Sequence, residues 1–82
     1  MKTDWFAIIA ELNRHGINMS QIEVYTEIDR QKLMRYRAGT EPRYEDGLIL
    51  IGFWSSITGK PQESAPKERE HISASRARVL TK

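Results

Sequence analysis

Apolar residues recur at helical spacing as far as residue 58 and then thin out. Trp5, Ile8, Ile9 and Leu12 fall at i, i+3, i+4 and i+7, the stripe of an amphipathic helix. Thr3 is its expected N-cap, and Asp4 suits the first turn. Arg14 and His15 complement the carbonyls of the last turn, and Gly16 supplies a left-handed stop. A second helix is expected from an Asn18 cap to about residue 26, with Ile22 and Thr26 inward. Ser20 with Glu23 forms a rival capping box there. Ile28 falls in a turn, and Asp29 caps a third helix over residues 30–38. Leu33 and Tyr36 point inward on that helix, and Gly39 ends it.

Pro42 biases Glu41 away from helix, so residues 40–43 read as a connector. A fourth helix is predicted from Tyr44 or Glu45 to about Thr58, with Glu45 and Asp46 in its first turn and Gly59 as its stop. A buried strand over residues 48–54 is the alternative; length and the acidic start favour helix. Gly47 and Gly52 would each weaken it by roughly 1 kcal/mol if exposed. Leu50, Ile51, Trp54 and Ile57 make one stripe, while Ile49 and Phe53 lie off its side. Three small helices cannot cover that much apolar surface. Either a twin subunit meeting at Ile49, Phe53 and Ile57 or the C-terminal segment is expected to cover the rest. Residues 61–70 are polar and proline-broken, as in a linker. Ile72, Val79 and Leu80 leave room for a short ordered piece, such as a helix from about Pro66 with Ser64 near its cap. The expected division is a domain over residues 1–59 and a polar C-terminal tail over 60–82.

The chain has 82 residues, so a single small domain is the natural expectation. Cysteine is absent, which excludes disulfides and thiolate metal sites and fits a cytoplasmic location. No apolar run approaches the ~18 residues needed to cross a bilayer, and the N-terminus lacks the apolar core of a secretion signal. The net charge of +2 hides a pattern. Residues 30–43 carry five Lys/Arg against one Asp/Glu, and residues 1–29 carry two against five. A basic block between acidic ones suits an anion-binding surface. His15 and His71 have no metal-ligating company. Ser55, Ser56 and Ser73 lack a His/Asp arrangement, and no phosphate-cradling GxxxxGK occurs. No catalytic residue, cofactor, metal or small-molecule substrate is therefore assigned. Trp5, Tyr36 and Trp54 fit core positions better than base-stacking ones.

The residues G-I-N-x-x-x-I from Gly16 to Ile22 and I-D-R-Q-x-L-x-R-Y from Ile28 to Tyr36 resemble the lambda-repressor-like helix-turn-helix family. That family includes the Cro-type phage and prophage regulators. Gly39 and E-P-R-Y-x-D-G from Glu41 to Gly47 add to the likeness, which covers about residues 4–58. The resemblance implies an all-α domain of four to five helices whose third helix enters the major groove of double-stranded DNA. It also implies a homodimer on a two-fold operator. Arg30, Gln31, Lys32 and Arg35 are then the candidates for base readout, because these side chains match purine edges. Asn18 and Met19, through the start of helix 2, and Arg37, Arg43 and Tyr44 are candidates for phosphate contact; for Tyr44 a competing packing role is the preferred expectation. Two positions depart from the pattern. Glu27 stands where the turn wants a glycine with positive φ, at a cost of about 1 kcal/mol. Glu23 stands where alanine is common, so it must angle outward or find a cation. The expected function is a Cro-type transcriptional repressor; the alternative is an interaction module, such as an antitoxin component or adaptor.

Overall fold

Asp4, not Thr3, caps the first helix. In the computed structural model, which describes residues 2–68, the Asp4 carboxylate accepts a hydrogen bond from the Ala7 amide at 3.1 Å. Thr3 is engaged elsewhere. It pairs with Lys67 in an isolated antiparallel bridge, flanked by bonds from the Asp4 amide to the Pro66 carbonyl and from the Glu68 amide to the Lys2 carbonyl. Both residues are good caps, and this distant pairing decides between them.

Helix α1 spans Trp5–Arg14, α2 Met19–Thr26, α3 Arg30–Arg37 and α4 Tyr44–Thr58; a single 3-10 turn follows at Gln62–Ser64. The described residues are thus all-α, with four α-helices and no strand. Asn18 caps α2 in a full capping box: its side chain accepts from the Gln21 amide while the Gln21 side chain accepts from the Asn18 amide. That reciprocal pair outcompetes the Ser20–Glu23 alternative. Glu27 follows α2 with φ 61°, the one non-glycine residue at positive φ among those described. Its amide returns to the Glu23 carbonyl, so an L side chain sits where a glycine would be unstrained. Thr26 secures the same turn from inside. Its hydroxyl donates to the Ile22 carbonyl and accepts from the Ile28 amide.

Asp29 caps α3 by accepting from the Gln31 amide. The helix ends at Arg37, with Ala38 as its C-cap and Gly39 at φ 120°. The Thr40 amide reaches back to the Arg35 carbonyl and the Gly39 amide to that of Tyr36, a Schellman closure that needs a residue without a Cβ penalty.

Both α1 and α2 pack against α3 and α4. Trp5, Ile8, Ile9 and Leu12 from α1 meet Ile22, Leu33, Tyr36, Leu50 and Trp54, with Ile28 of the turn, in one core. Gly47 suits close packing: a Cβ there would lie 3.3 Å from the Trp5 ring, tighter than an ordinary contact. Residues 61–68, expected to begin a polar linker, fold back instead. The 3-10 turn packs on α4, and Ala65 is buried in the core. Lys60 starts this return by pairing with Glu11 at 2.7 Å, while the other Glu11 oxygen accepts from the Trp54 indole at 3.0 Å. Of the helix expected from about residue 66, positions 66–68 are non-helical and the rest lies outside the described residues. No described helix is long and apolar enough to cross a membrane.

Candidate nucleic-acid interface

Two inward side chains decide how α3 is presented. Leu33 is fully buried and Tyr36 nearly so. Everything pointing away from them is solvent-exposed: Arg30, Gln31, Met34, Arg35 and Ala38. Gln31 and Arg35 are four apart, as are Arg30 and Met34, so these side chains form one face over two turns. The Asp29 carboxylate, at the start of this face, accepts from the Gln31 amide as the helix cap. Lys32 and Arg37 are half-buried on the flanks of the helix. Long basic side chains at such half-buried places can lay their stems on apolar surface and extend their charges into solvent.

Helix α2 meets this face at its N-terminal end. The Arg30 guanidinium donates to the Ser20 hydroxyl at 3.1 Å, tying the first turn of α3 to the first turn of α2. The Asn18 side chain and amide are both used in the capping box. The Met19 and Ser20 amides are therefore the donors that the helix start leaves for an outside acceptor. The Met19 side chain is half-buried against the core, and its backbone amide is the polar group it offers a ligand.

A buried hydrogen bond fixes α3 against the first turn of α4. The Tyr36 hydroxyl donates to the Asp46 carboxylate at 2.6 Å. Burial, followed by this bond and the Asp46 charge, holds the Tyr36 hydroxyl above its ordinary pKa, and the positive charges of Arg43 and Arg35 partly oppose it. Arg43, exposed at the N-cap of α4, therefore acts on the same corner of the molecule as Arg35. Tyr44 does not pack as the competing expectation had it: it is 79% exposed.

The residues expected at a subunit contact are not equivalent. Ile49 is largely exposed, Ile57 is half-buried against the core, and Phe53 is half-buried and stacked on Tyr25 of α2, with ring centroids 5.3 Å apart. Tyr25 and Val24 are exposed in turn. The opposite side of α4 is apolar as well. Trp5, Pro42, Gly47, Leu48 and Ile51, with Glu41, Arg43 and Tyr44 at the edges, line an open groove of about 220 Å³. Met34 and this groove were not singled out in the sequence, and Ser20 was weighed there only as a rival helix cap. For Met34 a signal existed: inward positions 33 and 36 leave residue 34 on the outer side.

Comparison with known proteins returned no family model, no curated protein and no solved structure that matches the chain.

Proposed function

We propose that the protein is a sequence-specific double-stranded-DNA-binding transcriptional regulator. The α2–turn–α3 unit would act as a helix-turn-helix in a lambda-repressor-like domain of the Cro type. One observation carries the reading: Arg30, Gln31 and Arg35 share the solvent face of one helix, with Lys32 and Arg37 on its flanks. These groups match the hydrogen-bonding edges of guanine and adenine in the major groove. Lys32 and Arg37 on the flanks, Arg43, Tyr44 and the first amides of α2 supply phosphate contacts around it. A homodimer would set two copies of α3 about 34 Å apart on a palindromic operator and repress by occupying promoter DNA. Ile49 and Phe53, with Ile57 beneath, are the proposed subunit contact.

Selection of bound duplexes from a random pool tests this. Enrichment of a palindromic site, with affinity falling steeply as salt rises, supports it. A pool with no enriched sequence overturns it. The exposed apolar residues favour a second reading, a helix-turn-helix interaction module such as an antitoxin component or adaptor. Val24, Tyr25 and Ile49 are more exposed than a monomeric domain needs. That reading predicts capture of a protein partner that survives Arg30→Ala and Arg35→Ala.

A further inference from the structure

The recognition face of α3 contains one side chain that hydrogen bonding does not explain. Met34 is 46% exposed and has Arg30, Gln31, Arg35 and Ala38 as its helical neighbours, all exposed. The inward places beside it are already filled by Leu33 and Tyr36. Met34 therefore contributes an apolar thioether to the middle of a polar, cationic surface.

Resting on the DNA-binding reading, we infer that Met34 reads the 5-methyl group of a thymine. Major-groove base edges carry amino donors, carbonyl and N7 acceptors, and a single apolar group, the thymine methyl. Guanidinium and carboxamide groups answer the donors and acceptors, but they gain nothing from the methyl. An exposed thioether with Ala38 one turn further on is the complementary surface. It sits four residues after Arg30 and three after Gln31, so the thymine it meets lies close to the base pairs those two address. The unbranched, polarizable methionine chain adapts to small shifts of the helix in the groove. The discrimination it gives is accordingly graded rather than absolute.

The experiment uses the full chain and a duplex recovered by selection. Each thymine is replaced in turn, in both half-sites, by deoxyuridine, which removes the methyl alone, and binding is read by fluorescence anisotropy. Burying one methyl group corresponds to about a fourfold change in affinity per contact. The wild-type protein is expected to show a loss of that size at one thymine per half-site. Met34→Gln, which keeps chain length, is expected to erase the loss, and Met34→Leu to retain it. A flat deoxyuridine scan with the wild-type protein overturns the inference, as does an equal loss in Met34→Gln. The wild-type scan needs no variant, so a poorly folded variant leaves the inference exposed to refutation. Failure to bind any duplex defeats the DNA-binding reading itself. Tight binding with a flat scan defeats the methyl contact alone.

Discussion

Helices α3 and α4 solve opposite problems. Both are held by α1 and α2, yet α3 inserts two side chains into the core and leaves a surface that is polar except for Met34, while α4 is apolar over most of its circumference. Leu50 and Trp54 fill the centre on α4, with Ile51, Phe53 and Ile57 packed around them. The contrast separates anchorage from display. A helix that displays its side chains needs only enough apolar contact to fix its orientation. A helix that organises a small core has to be apolar on several sides. The Tyr36–Asp46 bond compensates for the thin anchorage of α3 by fixing its C-terminal half to α4 directly.

The comparison can be broken first at its heavy end. Trp54→Ala is expected to cost about 3–5 kcal/mol, which abolishes cooperative thermal unfolding followed by circular dichroism in so small a domain. Tyr36→Phe removes the donor from a buried carboxylate. It should lower stability by roughly 1–3 kcal/mol in urea melts, and any DNA affinity should fall with it.

The Glu11→Gln effect depends on pH. Hydrogen bonds from Lys60 and Trp54 hold the Glu11 carboxylate below its ordinary pKa. A lowered pKa in the folded state means the stabilisation is present above about pH 4.5 and is lost as pH falls through the folded-state value. Wild type and Glu11→Gln should therefore differ at neutral pH and converge in acid; a constant gap across the range would remove the ionic contribution. A gain is expected from Glu27→Gly, which relieves a left-handed side chain and should raise stability by up to about 1 kcal/mol. The smallest effect on stability belongs to Arg35→Ala. Its side chain is exposed, so unfolding should shift by less than about 0.5 kcal/mol. A larger loss would show that α3 is anchored by its cations too.

What could be read from the amino-acid order follows the same division. Local chemistry was legible. The caps at Asn18 and Asp29 and the stops at Gly16, Gly39 and Gly59 all depend on residues a few positions apart; the left-handed demand on Glu27 was implied by the family resemblance instead. The stripe of α1 was legible because four apolar residues at helical spacing admit one arrangement. Features that depend on distant partners were not. Thr3 lost the cap to Asp4 through its pairing with Lys67. Tyr36 found Asp46, and Trp54 and Lys60 converged on Glu11. Residues 61–68 looked like linker because one small side chain, Ala65, makes their core contact. At the candidate interface the cations were apparent from charge alone. Met34 carries no charge to mark it, and its exposure depends on which neighbours take the inward places.

The seam between residues 2–4 and 66–68 also sets how the molecule responds to force. Its two segments run antiparallel, so a load applied across Lys2 and Glu68 acts on one amide–carbonyl bond after another instead of all together. Tethers attached at these two positions in a single-molecule trap would peel the seam at low tension and draw Ala65 out of the interior before any helix unwinds. Attachment in the exposed turn at Thr40 would strain the helices from the outset.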